Sequence, residues 1–172
     1  LAFPAFEEEN SCYYQGGVFL DNQVQALSTS NIIEHHNFAK LHGEQFSPAN
    51  GFTQPDINKT DAYTWCKAPR YNNKVMETGS LARQFINGDS LAQSLVNSTG
   101  SNIHNRMVLR LVELAKLTLQ IENWIKDIEP KNTFCHQIKL PKEGQGIGLS
   151  EAARGSLGHW LTVENGKISN YQ

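Results

Sequence analysis

Apolar residues are spaced most regularly between residues 102 and 128. One stripe recurs there at alternating intervals of four and three residues: Met107, Leu111, Leu114, Thr118, Ile121, Ile125 and Ile128. This spacing predicts an amphipathic helix about 40 Å long that ends before Pro130. Val112 and Leu119 widen the stripe, and the short elements elsewhere cannot cover it. We therefore expect other long helices beside it, which is a first sign of an incomplete domain.

Two shorter helices are predicted before the long one. Leu81, Phe85 and Ile86 form a short amphipathic stretch that stops near Asn87-Gly88. A second short helix is expected over residues 90–96, because the Asn-Ser-Thr-Gly sequence that follows favours a break.

The N-terminal part has a different pattern. Residues 11–60 are rich in Gly, Asn, Ser and Pro and contain only short apolar runs, which is typical of short strands and long loops. The segment NIIEHHNF, residues 31–38, fits either a strand or a helical turn. Residues 43–62 are predicted to be loop, and a loop of that length is more often functional or packed against another element.

The last 30 residues change character again. The segment KEGQGIGL, residues 142–149, is interpreted as a glycine-rich loop. Ser150 is expected to cap a short helical turn in SEAARG, from which Arg154 projects between small neighbours. Two strands follow, HWLTVE and KISNYQ, and Asn165-Gly166 between them predicts a type I′ hairpin turn. The chain stops at Gln172 directly after a strand, which we take as a second sign of truncation.

These elements predict an α+β fold. It should be mainly helical, with one long buried helix, short strands, long loops and a C-terminal β-hairpin. We expect a single incomplete domain over residues 1–172. Its parts are strands and long loops (1–79), helices (80–130), and the glycine-rich loop, arginine turn and hairpin (131–172).

Composition excludes several partners. The chain has 172 residues, of which 39% are hydrophobic and 19% charged, as in ordinary globular domains. A net charge of −2 gives no reason to expect nucleic acid as a partner. No apolar run reaches the length of about 18 residues that a bilayer span needs. The acidic N-terminus is not a secretory signal, so we expect a cytoplasmic location unless an export signal lies elsewhere.

Candidate ligands for a metal are scattered. Cys12, Cys66 and Cys135 lie far apart and form no C-x-x-C pair, so we expect buried free thiols and no metal site within this chain. His35 and His36 are adjacent, so their rings diverge on a strand or helix, and His159 is interpreted as a satisfied core or surface residue rather than a ligand. The Gly144–Gly148 segment lacks the spacing of a nucleotide-binding loop.

Two segments leave the interpretation open. Taken alone, Arg154 fits a structural ion pair at least as well as a binding site. The segment YTWCKAPRY, residues 63–71, fits a packed loop with cation–π contacts.

In combination, three segments resemble the large subunit of nickel-iron hydrogenases. YTWCKAPRY (63–71) followed by KVMETGSLAR (74–83) is similar to a loop and turn of that family. GQGIGLSEAARGSLGHW (144–160) resembles the loop that passes over the family's metal site, and ENGKISNYQ (164–172) the hairpin after it. The EAARG form and the FCHQIKLP run (134–141) look most like uptake hydrogenases of cyanobacterial type.

The resemblance implies reversible oxidation of H₂ to protons and electrons. The family binds a nickel-iron centre with carbonyl and cyanide ligands through two pairs of cysteines, and passes electrons to an iron–sulfur small subunit. Neither cysteine pair is present here, so we expect the chain alone to bind no metal, to be inactive and to self-associate. The full enzyme would lie in the cytoplasm or at the periphery of a membrane, attached through other subunits.

The resemblance also implies roles for three residues. Arg154 matches the catalytic arginine above the open position between nickel and iron. Because arginine does not readily deprotonate, electrostatic stabilisation of the splitting H–H bond is the safer role. Lys67 and Glu77 lie in loops that in relatives approach a buried magnesium ion. Ala153 stands where many relatives have a proline, a difference that bears on the fine positioning of Arg154.

Two other classes of function fit the sequence less well. One is a non-catalytic relative, such as the homologous quinone-site subunit of respiratory complex I, although that family lacks a segment like YTWCKAPRY. The other is a free-standing binding or scaffold module without a redox role. Cysteine pairs encoded on both sides of this segment would favour the hydrogenase.

Overall fold

A computed structural model describes residues 1–8, 11–133, 135 and 138–172. Three residues of the FCHQIKLP run, Phe134, His136 and Gln137, lie outside this set. The described residues form an α+β structure of three α-helices, one short 3₁₀ helix and ten strands, which confirms the predicted class. The chain divides into two compact units. The first comprises Leu1–Gln25, Glu77–Leu140 and Glu151–Ser156, and the second comprises Ala26–Met76, Pro141–Ser150 and Leu157–Gln172.

Two antiparallel hairpins open the first unit. Strand β1 (Ala5–Glu8) pairs with β2 (Ser11–Tyr14), and β3 (Val18–Leu20) pairs with β4 (Gln23–Gln25). Asp21 and Asn22 both have positive φ, which a tight two-residue turn between right-twisted strands requires. The predicted short strands of this region are therefore confirmed.

Three helices form the core of the first unit. They are α1 (Ser80–Ile86), α2 (Ser90–Thr99) and α3 (Ile103–Asp127). The side chains of Asp89 and Asn102 cap α2 and α3 by accepting hydrogen bonds from backbone N–H groups of their first turns. The core is apolar, and its buried members are Leu81, Phe85, Ala92 and Leu109. The spacing of apolar residues predicted α1 and α3, and the Asn-Ser-Thr-Gly sequence predicted that α2 is a short helix.

Helix α2 continues three residues beyond its predicted end. The Asn105 side chain donates hydrogen bonds to Leu95 O, Thr99 Oγ1 and Gly100 O, which satisfies the last turn of the helix. The helix ends at Gly100, which has a φ of 72°. A contact from the next helix therefore overrides the local signal for a break.

The apolar stripe of α3 is covered only in part. Asn105, Leu109 and Glu113 are the helix's buried residues. Trp124 lies against Phe6 and Tyr13 of the first hairpin, with ring centroids 5.6 and 5.8 Å apart. Seven other large apolar side chains of the stripe are between 48% and 69% exposed: Met107, Leu111, Leu114, Leu119, Ile121, Ile125 and Ile128. The long helix forms as predicted, but within this chain most of its length is exposed.

A three-stranded antiparallel sheet lies in the second unit, with β5 (Ile32–His35) between β6 (Gln45–Phe46) and β7 (Ala68–Tyr71). The NIIEHHNF segment thus contains a strand, and residues 43–62 are loop apart from β6. Lys59 organises the neighbouring loop, because its Nζ donates to the carbonyl oxygens of His36, Leu41 and Gly43. Three carbonyls satisfy all three ammonium donors.

The C-terminal region differs from the prediction before its hairpin. Residues 144–152 form strand β8 (Gly144–Ala152), which pairs with β9 (Gly155–Glu164), and β9 pairs with β10 (Lys167–Tyr171). The predicted glycine-rich loop and the helical turn at Ser150 are therefore wrong. The pairing with β9 explains the difference, because it supplies ladder hydrogen bonds to residues whose glycines favour loop locally.

The predicted hairpin after β9 is confirmed. Asn165 and Gly166 connect β9 to β10, and both have positive φ, at 53° and 72°. A type I′ turn requires this conformation at both central positions. The Asn-Gly pair therefore sets the pairing of Lys167 with Glu164 and of Ile168 with Val163.

The burial of Leu109 should make this residue important for the stability of the fold. Leu109 is completely buried on α3, whereas Leu111 on the same helix is 63% exposed. We expect Leu109→Ala to lower the free energy of unfolding by about 2–5 kcal/mol, and Leu111→Ala by about 0.5 kcal/mol or less. Chemical denaturation of the two variants measures the difference, and equal losses would contradict the core described above.

The exposed stripe of α3 should cause the chain by itself to associate at high concentration, because large apolar patches favour contact with one another. The double variant Leu114→Lys/Ile121→Lys places two charges in the stripe and should shift the population towards monomer in sedimentation experiments. Gln120→Lys/Asn123→Lys adds the same charge outside the stripe and serves as the control. A wild-type chain that stays monomeric at high concentration would refute this expectation.

Candidate functional site

Two turns that carry the sequence motifs pack backbone against backbone in the first unit. One is the Thr78-Gly79 turn before α1, and the other joins β8 to β9 at Ala153-Arg154. A Cβ on Gly79, which has a φ of 94°, would lie 3.0 Å from the carbonyl oxygen of Arg154. A Cβ on Gly155 would lie 2.5 Å from Thr78 Oγ1. Side chains at either glycine would push the two turns apart, so glycine is required at both.

Arg154 itself projects from the second turn. It is exposed, as are Ala152 and Ala153 beside it. Among the described residues its side chain makes no hydrogen bond or ion pair, so the interpretation as an internal ion pair gains no support here. The guanidinium is available to bind a group that the described chain does not supply.

A buried arginine on α1 lies behind these turns. Arg83 is 3% exposed and binds Glu113 of α3 in a bidentate manner. Its Nε donates to Glu113 Oε1 at 2.8 Å, and its Nη2 donates to Glu113 Oε2 at 2.6 Å. Ser80 Oγ also donates to Glu113 Oε2 at 2.8 Å. The ion pair joins α1 to α3, and both oxygens of the Glu113 carboxylate accept hydrogen bonds.

The remaining edge of Arg83 reaches the end of β8. Nη1 donates to Glu151 Oε2 at 2.6 Å and to the Ala152 carbonyl oxygen at 3.0 Å. Glu151 Oε1 accepts from the Phe3 backbone N–H at 2.8 Å and from Ser156 Oγ at 2.5 Å. Residues on both sides of the Ala153-Arg154 turn are therefore bound to one network. We call Arg83, Glu113 and Glu151 the Arg83 cluster.

Burial and charge oppose each other in this cluster. Burial alone would lower the pKa of Arg83, but hydrogen bonds from the guanidinium and the charges of Glu113 and Glu151 outweigh it, so the pKa is raised. Arg83 is therefore always cationic. Removal of one partner of a buried ion pair typically costs about 3–5 kcal/mol, because the other charge is left without compensation.

Tyr14 shares this environment. It is 2% exposed, and its hydroxyl has no hydrogen-bond partner among the described residues. Burial raises the pKa of the Tyr14 phenol first, and the negative charge of Glu113 raises it further. A buried hydroxyl without a partner is a cost to folding, and in the neutral form it avoids adding a further negative charge beside Glu113.

Glu77 precedes the first turn. Its carboxylate accepts two hydrogen bonds from Arg106, at 2.9 Å from Nε and 2.6 Å from Nη2, and one from Ser101 Oγ at 2.8 Å. These bonds join the turn to the start of α3. In this arrangement Glu77 is engaged with protein donors.

Lys67 lies in the second unit, directly before β7. Its Nζ donates to Glu34 Oε2 at 2.8 Å and also to Gln172 Oε1. Gln172 in turn donates through Nε2 to the Gly51 carbonyl oxygen. The structure therefore links Lys67 to the last residue of the sequence and to β5.

The aromatic segment around Lys67 is more open than predicted. Tyr63 and Trp65 are 78% and 54% exposed, and residues 68–71 form β7 rather than loop. The predicted cation–π contact is present, with Lys40 Nζ 5.9 Å from the centroid of the Trp65 ring. Tyr63 stacks on Phe38 with ring centroids 5.6 Å apart.

The prediction of buried thiols is wrong. Cys12 is only partly buried, and Cys66 and Cys135 are exposed. They lie in a short edge hairpin and in loops, where few neighbours can cover them. No group of three or more His, Cys, Asp or Glu residues could hold a metal ion within the described ranges. These side chains do not fit a nickel-iron centre, which needs several thiolates at one place.

Two histidines singled out in the sequence have other partners. His35 Nε2 lies 3.2 Å from Asn73 Oδ1, and His159 Nδ1 lies 2.5 Å from the Tyr171 hydroxyl. Both interactions occupy a ring nitrogen in a protein hydrogen bond. The third, His36, is 1% exposed; its Nδ1 lies 3.1 Å from the His42 carbonyl oxygen, and its Nε2 has no hydrogen-bond partner among the described residues. That none of these histidines binds a metal stays a prediction.

Sequence reasoning missed the Arg83 cluster. The available signal was Glu113, which lies four residues after Leu109 and eight after Asn105 and therefore on the buried side of α3. A carboxylate at such a position needs a cationic partner. Arg83 in the KVMETGSLAR motif and Glu151 in SEAARG were the candidates.

Comparison with known proteins agrees with the resemblance seen in the sequence. A family model described as nickel-dependent hydrogenase matches residues 1–172. The large subunit of the periplasmic [NiFeSe] hydrogenase of Desulfomicrobium baculatum is 28% identical over 99% of this chain and 37% of its own length. The uptake hydrogenase large subunit of Rhizobium leguminosarum bv. viciae is 31% identical over 87% of this chain and 31% of its own length.

A solved structure is also similar. The crystal structure of a reduced, active form of the Ni-Fe-Se hydrogenase from Desulfomicrobium baculatum matches 99% of this chain with a TM-score of 0.84 and 27% identity. The match covers 40% of that chain. This chain therefore spans well under half the length of these relatives.

Tyr14→Phe tests the electrostatics of the cluster. At neutral pH the variant should be as stable as the wild type or more stable, since an unsatisfied buried hydroxyl costs about 1–3 kcal/mol. An unfolded tyrosine ionises near pH 10.0, whereas folded Tyr14 keeps its proton to higher pH. The folded wild type thus binds one more proton than the unfolded chain above pH 10.0, and its stability falls as pH rises.

Loss of stability above pH 10.0 should therefore be less steep in Tyr14→Phe than in the wild type, as measured by urea denaturation at several pH values. Tyr63→Phe alters a tyrosine that is 78% exposed and serves as the control. Identical pH profiles for wild type and Tyr14→Phe would contradict the environment assigned to Tyr14.

Proposed function

This chain belongs to the nickel-dependent hydrogenase family, and from that premise we propose that it is part of the large subunit of an uptake [NiFe] hydrogenase. The reaction is the oxidation of H₂ to two protons and two electrons. The observation that carries the proposal is the packing of the Thr78-Gly79 turn on the Arg154 turn. It brings two of the three family-like segments together and leaves the Arg154 side chain exposed beside them.

The names of some relatives support the uptake type. Relatives named as uptake hydrogenase large subunits, such as that of Rhizobium leguminosarum bv. viciae, share about the same identity with this chain as the [NiFeSe] enzyme does. The likeness to cyanobacterial enzymes stays a prediction. The relatives are named as large subunits, which supports a small subunit as the partner. That this partner carries iron–sulfur clusters and receives the electrons is what the resemblance implies.

The metal centre needs ligands that the described residues do not bring together. We therefore assign the cysteine ligands of nickel and iron, together with the carbonyl and cyanide groups, to a centre formed with polypeptide other than residues 1–172. In this proposal, residues of this chain lie around the metal centre but do not bind the metals. It is expected to bind no nickel and to be inactive by itself.

Arg154 is the catalytic residue in this proposal. Its guanidinium carries a permanent charge and five donors, and in the described chain none of them is engaged by another side chain. The resemblance places Lys67, and separately Glu77, in loops that in relatives approach a magnesium ion, and for each residue this stays a prediction. Their contacts to Glu34 and Gln172, and to Arg106, give each a fixed orientation.

One structural observation bears on the location of the enzyme. Within the described residues no helix combines the length and apolar character that crossing a membrane demands. A cytoplasmic enzyme, or one attached to a membrane through other subunits, stays our prediction. The relative from Desulfomicrobium baculatum is by its name periplasmic.

Arg154→Lys in the complete enzyme tests the catalytic role. Lysine keeps the charge but replaces a rigid fork by a point charge on a flexible stem. We expect nickel content to survive and hydrogen oxidation to fall about a hundredfold or more, as for loss of one preorganised donor. Arg110→Lys makes the same replacement at an exposed arginine of α3 and should leave the rate unchanged. Full turnover by Arg154→Lys would refute the assignment.

A further inference from the structure

The turn that carries Arg154 has no side-chain support of its own. Ala152, Ala153 and Gly155 around it are too small to anchor it by packing, and the two alanines are exposed. The backbone contact with Gly79 limits how closely the turn approaches α1, but it supplies no directional bond between the turns. The position of Arg154 must therefore be fixed by bonds to the residues that flank it.

One guanidinium supplies those bonds. Arg83 Nη1 donates to the Ala152 carbonyl oxygen and to Glu151 Oε2 on the strand that enters the turn. Glu151 then accepts from Ser156 Oγ on the strand that leaves the turn. Both ends of the turn are thus held through the same carboxylate.

The guanidinium is held rigidly from the other side. Glu113 binds Nε and Nη2 of Arg83, and every residue of α1 is buried. Core packing around Leu109 fixes α3, four residues before Glu113 along the same face. Buried residues therefore connect the helix core to the turn: Glu113 on α3 binds Arg83, and Arg83 binds Glu151.

Lysine could not replace arginine in this position. Arg83 uses three different nitrogens, directed to Glu113 on one edge and to Glu151 and Ala152 on the other. A lysine ammonium offers three donors from a single point and cannot bridge carboxylates on opposite edges. Arg83→Lys therefore keeps the charge of the cluster and removes its bridge.

We propose that Arg83, acting through Glu151, is a positioning residue that sets the place of the Arg154 guanidinium. The inference rests on the proposed function, because it gives Arg83 a part in catalysis through Arg154. Catalytic groups misplaced by about 1 Å can lose about a hundredfold in rate, so support at the base of the turn matters for the reaction.

The experiment uses the complete hydrogenase with Arg83→Lys, Glu151→Gln and the control Arg110→Lys. Three quantities are measured for each: nickel content, kcat and KM for H₂, and hydrogen–deuterium exchange of the Phe3 amide. The Phe3 N–H donates to Glu151 Oε1, so its exchange reports whether Glu151 is still held in place.

We expect Arg83→Lys to retain nickel and KM, to lose at least about tenfold in kcat, and to exchange the Phe3 amide faster. Glu151→Gln should change kcat and exchange in the same direction, and Arg110→Lys should change neither. A general loss of structure would instead reduce the nickel content. Should Arg83→Lys fail to assemble, Glu151→Gln, which keeps the shape of the side chain, decides the question.

The outcomes separate the two proposals. Full kcat in both Arg83→Lys and Glu151→Gln, in an enzyme that Arg154→Lys inactivates, would overturn the positioning role alone. Full turnover by Arg154→Lys would remove the catalytic role of Arg154 and the positioning role that depends on it. Slow exchange of the Phe3 amide in Arg83→Lys would also overturn the positioning role, because Glu151 would then hold its place without Arg83.

Discussion

The ion pairs of Arg83 with Glu113 and Glu151 are the interaction on which the first unit depends. Transfer of three charged groups into a protein interior carries a large desolvation cost, which only close pairing and complete hydrogen bonding can offset. Here Arg83 uses both edges of its guanidinium, and the two carboxylates take further hydrogen bonds from Ser80, Ser156 and the Phe3 backbone. Loss of any one member would leave a buried charge without compensation. The network therefore holds α1, α3 and the end of β8 together.

The glycines of the two turns belong to the same arrangement. Gly79 and Gly155 let the backbone of the Arg154 turn approach the backbone that leads into α1. Without that approach the Arg83 guanidinium could not reach Glu151 and Ala152 from its own helix. Small residues around Arg154 thus have a double effect: they allow close packing on one side and leave the arginine exposed on the other.

Local signals in the sequence predicted the helices and the last hairpin. The apolar spacing from Met107 to Ile128 was enough to predict α3 without knowledge of its neighbours. Asn165-Gly166 predicted the last turn because both residues readily adopt positive φ. Residues 144–152 could not be predicted in this way. Their glycines favour loop locally, and they form a strand only because β9 pairs with them. The exposure of Cys66 and Cys135 likewise depends on the tertiary structure.

The candidate site was predicted unevenly for the same reason. Arg154, Lys67 and Glu77 came from resemblance to a family, since nothing in their local spacing distinguishes them from surface residues. The Arg83 cluster brings together residues 30 and 68 positions apart, and no local pattern reveals such pairs. Only Glu113, a carboxylate on the buried side of α3, hinted at a partner in the interior.

The central claim is that Arg83 and Glu151 act as one unit that holds the turn. A double-mutant cycle on the free energy of unfolding, with Arg83→Met, Glu151→Gln and the two combined, measures this directly. Residues in one buried network couple by about 0.5–3 kcal/mol, so the double variant should lose clearly less stability than the sum of the single losses. Additivity within about 0.3 kcal/mol, as for distant and independent residues, would contradict the account.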